Sequence, residues 1–104
     1  MKYQVKYRIW LEKEGKFLLG EGSARLLLAI DETGSLSLAS KKTGISYKKA
    51  WQIIKNIETL SGEKLIISKK GGSHGGGTIL TEKGKELLKE YINLKEKVND
   101  CINK

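Results

Sequence analysis

For covalent or metal chemistry the 104-residue sequence offers one histidine, His74, and one cysteine, Cys101, well apart in the chain. That pair builds no metal cluster, and no Ser/His/Asp arrangement accompanies it. The acids fall mainly at Glu12, Glu14 and Glu21, or among lysines at helical spacing in the last quarter, which is the pattern of a solvated surface. No enzyme, metal or cofactor is expected. A different capacity lies in the stretch GISYKKAWQIIKNIETL, Gly44 to Leu60. On a helical wheel Ala50, Ile53, Ile54, Ile57 and Leu60 share one apolar arc, while Lys48, Gln52 and Lys55 lie opposite with Trp51 and Thr59 beside them. Lysines neutralise phosphates, and a glutamine amide pairs bidentately with adenine. No acid interrupts residues 33–57.

The formal charge of +8 sharpens this reading once it is divided along the chain. Residues 1–32 and 82–104 are each close to neutral, whereas residues 33–81 carry eight lysines against Glu58 and Glu63. A surplus confined to one segment points to a polyanionic partner. With 38% hydrophobic and 31% charged residues, the composition is that of an ordinary globular protein with one core. The longest apolar run, Leu26 to Ile30, is too short to span a bilayer, and the N-terminus lacks a signal-peptide pattern. A cytoplasmic location is expected.

These side chains need elements to position them. Tyr3, Val5, Tyr7 and Ile9 alternate at period two, which predicts a strand over residues 2–11, with residues 15–20 returning as the second strand of a hairpin. Ser23 is the expected cap of a helix through Thr33, apolar around most of its circumference and stopped by Gly34. A short helix from about Leu36 to Thr43, capped by Ser35 or Ser37 and ended by Gly44, precedes the helix capped by Ser46. Two short amphipathic helices joined by a tight Gly-containing turn form a helix-turn-helix, whose second helix can enter a DNA major groove. LIISKK and TIL then predict a hairpin with the glycine-rich tip GGSHGGG, and Thr81 caps a last helix to about Asn103.

Each conspicuous residue carries an alternative. Trp51 either packs on the preceding helix through Leu36 or Leu38, or lies at the groove edge with its ring against a sugar or thymine methyl. Tyr47 invites the same two readings, with phosphate contact favoured by its place in the first turn. GGSHGGG matches neither a P-loop nor a dinucleotide fingerprint. As a hairpin tip it brings Lys69, Lys70 and His74 to the DNA backbone, His74 being otherwise a solvated side chain. In the last helix Leu87, Tyr91, Leu94, Val98 and Cys101 follow at spacings of four, three, four and three, the seam of a two-stranded coil. The alternative is that Leu87, Leu88, Tyr91 and Ile92 pack on the chain's own core.

GSLSLASKKTGISYKKAW (34–51) and GGSHGGGTILTEKGKELL (71–88) resemble the N-terminal DNA-binding domain of the molybdate-responsive ModE-type regulators and, more distantly, the LysR-type winged helix. The resemblance covers about residues 22–95. It implies a winged helix-turn-helix, a recognition helix starting at Ser46, a Gly-rich wing and a dimer. Molybdate is bound in those regulators by a C-terminal portion beyond this resemblance, so no effector domain is expected in residues 1–104. The whole is expected to be one α+β, mainly helical domain: hairpin 1–21, helix-turn-helix and wing 22–81, dimerisation helix 82–104. Its expected function is sequence-specific regulation of transcription as a homodimer on double-stranded DNA, on a palindromic operator, with any signal arriving through a separate effector or sensor protein. The expected DNA contacts are Ser46, Tyr47, Lys48, Lys49, Trp51, Gln52, Lys55, Lys69, Lys70 and His74. The rival is an architectural or protein-interaction module that uses the basic face nonspecifically, on DNA, RNA or an acidic protein.

Overall fold

The computed structural model describes residues 2–69 and 77–103. Eight elements follow in the order β1 (Leu11–Lys13), β2 (Lys16–Leu19), α1 (Glu21–Thr33), α2 (Leu36–Thr43), α3 (Tyr47–Ser61), β3 (Ile66–Lys69), β4 (Gly77–Leu80) and α4 (Glu82–Ile102). Strands β1 and β2 form one antiparallel pair and β3 and β4 another. The β1–β2 turn places Glu14 and Gly15 both at positive φ, the two-residue geometry that matches strand twist. The β3–β4 register runs from Ile66 opposite Leu80 to Lys69 opposite Gly77.

Local chemistry sets the helix ends. Ser35 Oγ accepts the Leu38 N–H at 3.1 Å, Ser46 Oγ accepts the Lys49 N–H at 3.1 Å, and Thr81 Oγ1 accepts the Gly84 N–H at 3.0 Å. Gly34, Gly44 and Gly62 close α1, α2 and α3 in the left-handed conformation that costs a glycine little. The start of α1 differs from expectation. The cap is Gly20, and Ser23 sits three residues inside, where its Oγ accepts the Gly20 N–H at 2.9 Å. Serine there performs the returning half of a capping box, so the helix gains most of a turn ahead of it.

The predicted strand over residues 2–11 is also corrected, since regular pairing begins only at Leu11. Alternation suits a strand, but a ladder needs a partner, and β2 is long enough to pair only with Leu11–Lys13. Residues 2–10 are tied instead to α4: Tyr7 donates to Asn99 Oδ1 at 3.0 Å, and Tyr91 donates to the Ile9 carbonyl at 3.2 Å.

The core is assembled from Leu19 of β2, Leu26, Leu27 and Ile30 of α1, Leu36 and Ala39 of α2, Ala50, Ile54 and Ile57 of α3, Leu65, Ile66, Leu80, Leu88 and Tyr91. Helix α1 buries Leu26, Leu27, Ala29 and Ile30, so most of its apolar circumference is covered within the chain, though Leu28 remains exposed. The β3–β4 hairpin is fastened to the end of α1 through Thr78, and its own ladder continues one pair further, to Leu65 and Thr81. Thr78 N–H donates to the Gly34 carbonyl at 2.8 Å, and Thr81 N–H donates to the Leu65 carbonyl at 2.9 Å. Among the described residues, no helix is long and apolar enough to cross a membrane.

Candidate nucleic-acid interface

Burial of Ala50, Ile54 and Ile57 fixes the rotation of α3 and turns its other face to solvent. On that face Tyr47, Lys48, Lys49, Trp51 and Gln52 are exposed together. Ser46 is exposed as well, but its hydroxyl is engaged as the helix cap. Tyr47 retains 56% and Trp51 48% of its surface, so neither is a core aromatic. Of the two neighbours weighed for Trp51 on the preceding helix, Leu38 is itself 52% exposed, whereas the buried Leu36 lines a cleft together with Trp51. A cleft of about 300 Å³ runs between α3 and β3, with Tyr47, Trp51 and Lys55 on one wall and Ile66, Ile67 and Ser68 on the other.

The charges on this face are not equivalent. Among the described residues Lys48, Lys49, Lys64 and Lys69 make no ion pair, whereas Lys42 is held by Glu32 at 3.0 Å and Lys55 by Glu58 at 3.2 Å. The Lys55 ammonium also lies 5.5 Å from the centre of the Trp51 ring, within cation–π range. Glu58 uses its second oxygen to accept the Leu65 N–H at 2.9 Å. Burial raises the Glu58 carboxyl, but the Leu65 N–H and the Lys55 ammonium more than offset it, and the net displacement is below the ordinary value. On sequence alone Glu58 is only the first acid after a basic run. An acid three residues after a lysine on a helix was the available signal, while the bond to Leu65 N–H had none.

The remaining expected residues divide. Lys69 ends β3 and is exposed, close in sequence to the tip; Lys70 and His74 lie outside the described residues. In α4 the proposed seam is broken by Tyr91, which is 3% exposed and donates its hydroxyl to the Ile9 carbonyl. Burial raises that phenol, with Lys95 acting in the opposite sense and Glu21 in the same one. Tyr91 therefore belongs to the chain's own core, as the alternative reading of this helix had it. Leu87 and Val98 are half-buried, and Leu94 and Cys101 are exposed.

A three-helix core with a capped, outward-facing third helix and a β-hairpin fastened beside it is a winged helix-turn-helix. The profile described as bacterial regulatory helix-turn-helix protein, lysR family, matches residues 23–85, and the chain belongs to that family. The resemblance to ModE-type regulators extends over most of the sequence. The chain is 47% identical over 88 residues to the transcriptional regulator ModE of Yersinia pestis, an alignment covering 85% of this chain and 34% of the relative. It is 33% identical over 97 residues to the molybdenum transport protein ModE of Azotobacter vinelandii, covering 93% and 36%. The chain thus spans about a third of the length of these curated relatives. The same fold recurs in ArgP of Mycobacterium tuberculosis, with a TM-score of 0.60 at 19% identity over 80% of this chain and 29% of that one. It recurs also in BpsR of Bordetella bronchiseptica, with a TM-score of 0.60 at 22% identity over 81% and 61%.

Proposed function

We propose that this chain binds duplex DNA through α3 and the β3–β4 wing, as a cytoplasmic regulator of transcription that reads sequence at the major groove. The carrying observation is the exposed set Tyr47, Lys48, Lys49, Trp51 and Gln52 on α3, opposite a buried apolar face and with Lys48 and Lys49 in no ion pair among the described residues. Lys48 and Lys49 supply phosphate contacts near the helix start, Gln52 reads a base edge, and Lys69 leads the wing toward the backbone. Lys70 and His74 are assigned to the wing's approach on sequence grounds. The active unit is a homodimer on a two-fold operator, with the last helix contributing to the interface. The relative in Azotobacter vinelandii is a molybdenum transport protein, and by that likeness promoters of molybdenum-handling genes are the first targets to test.

The decisive measurement is affinity for duplex DNA as a function of salt. If a dimer neutralises roughly 6–10 phosphates, log K should fall against log salt with a slope of about −5 to −9. Lys48→Ala should flatten that slope, and Lys97→Ala, in the near-neutral last helix, should not. Equal effects would mean diffuse attraction only. A preference below about 10³-fold for any duplex over random DNA would favour the architectural reading.

A further inference from the structure

Lys55 sits two turns after Lys48 on the same side of α3, about 10 Å further along the axis, and on sequence alone the two are equivalent. Within the folded chain they are not. The Lys55 ammonium lies between the Glu58 carboxylate at 3.2 Å and the Trp51 ring at 5.5 Å, while Lys48 makes no ion pair among the described residues. Glu58 in turn is only 10% exposed, and its other oxygen holds the Leu65 N–H at 2.9 Å. Leu65 is the root of the wing, where its carbonyl accepts the Thr81 N–H at 2.9 Å and the neighbouring Lys64 carbonyl accepts the Thr81 hydroxyl at 2.6 Å. One carboxylate therefore joins the recognition helix to the wing root with one oxygen and fixes Lys55 with the other.

We propose that Lys55 is a positioning residue and not a phosphate contact: clamped by Glu58, it sets the Trp51 indole beside the α3–β3 cleft, where the indole meets the nucleic acid. The assignment rests on the DNA-binding reading and changes what one of its expected contacts does. For Lys55 to reach a phosphate it would have to leave a nearly buried carboxylate without its cation, a loss that an exposed lysine such as Lys48 does not incur. While paired, Lys55 and Glu58 present no net charge to a phosphate, so the pair releases no counterion on binding.

The test compares salt slopes for one duplex in a Trp10→Phe background, in which Trp51 is the remaining tryptophan. Lys48→Ala should flatten the slope by about 0.9 per protomer. Lys55→Met combined with Glu58→Gln keeps the local charge and an oxygen for the Leu65 N–H, and should leave the slope as it was while lowering affinity by a similar factor at every salt concentration; Lys55→Met alone should shift the Trp51 emission of the free protein. Glu58→Gln keeps an oxygen for the Leu65 N–H but releases the ammonium, and should steepen the slope by up to about 0.9 per protomer. Flattening by the combined Lys55→Met and Glu58→Gln variant equal to that of Lys48→Ala would overturn the assignment while leaving DNA binding standing, and so would an unchanged slope in a folded Glu58→Gln protein. Should neither Glu58 variant fold, Lys55→Met decides through the Trp51 emission of the free protein, and an unchanged spectrum would overturn the assignment. A wild-type protein with no salt-dependent binding would overturn both this assignment and the reading beneath it.

Discussion

Gln52 is exposed on α3 one residue after Trp51, and its amide offers a donor and an acceptor that match the adenine edge in the major groove. Gln52→Ala should therefore relax preference at one base position, losing about 1–3 kcal/mol of discrimination in competition against singly substituted sites, whereas Lys69→Ala should weaken all sequences alike. Glu58 gives a prediction of a different kind, in pH. Its folded-state value is lowered, so its contribution to stability is present above the unfolded value, near 4.5, and is lost as pH falls through the lower folded one. The stability difference between wild type and Glu58→Gln should be constant from neutral pH down to about that value and shrink below it, as read by denaturant midpoints across the acid range. Such residues mark how far the sequence could be read. The solvent face of α3 followed from apolar spacing alone, because Ala50, Ile54 and Ile57 had to turn inward. The distinction between Lys48 and Lys55 did not follow, because it depends on a backbone N–H seven residues beyond Glu58 that only the fold brings near.

The elements were readable wherever a boundary is written in local chemistry. Helix α2, with its Ser35 cap and Gly44 stop, coincides with the expected span, and α3 begins at its expected cap. Ser46→Ala should accordingly cost about 1 kcal/mol in global stability by removing the acceptor for the Lys49 N–H. Where one residue type serves two positions the reading slipped, as with Ser23, which is equally suited to cap a helix or to answer its cap from the third position. Where an element depends on a distant partner it failed, as in residues 2–10, whose alternation found helix α4 in place of a strand. Gly84 was equally silent in the sequence. Inside α4 alanine should be favoured over glycine by about 1 kcal/mol on propensity, yet a Cβ here would collide with the Leu65 carbonyl. Gly84→Ala should thus destabilise by about 1–3 kcal/mol in chemical denaturation. A stabilised variant would show that the wing root yields to α4 at no cost.

The whole molecule extends 55 Å along its longest axis against 22 Å along its shortest, and at 1.5 Å per residue the 21 residues of α4 account for about 32 Å of length. Its first half is anchored by Leu88 and Tyr91, which point into the core. Beyond Tyr91, Ile92 still packs on the core, and Lys95 is tied to Glu21 at 3.1 Å and Asn99 to Tyr7 at 3.0 Å, while Leu94 stays exposed and Val98 half-covered. Loss of Tyr91 from the coil seam leaves Leu87, Leu94, Val98 and Cys101, too short a stripe for a self-sufficient coiled coil, so a dimer must recruit further apolar surface. Leu28 of α1, on the solvent face it shares with Arg25 and Glu32, is a further exposed apolar side chain that could contribute. The expected outcome is a dimer at micromolar concentration in sedimentation equilibrium, converted to monomer by Leu94→Lys combined with Val98→Lys, with the loss in affinity falling on a two-half-site duplex and not on an isolated half-site. Cys101 reports the orientation: parallel helices would let a mild oxidant link the native dimer, whereas antiparallel helices would require Leu87→Cys before a Cys101 cross-link forms. A monomer that binds one half-site as tightly as the paired site would refute the dimer and, with it, the two-fold operator.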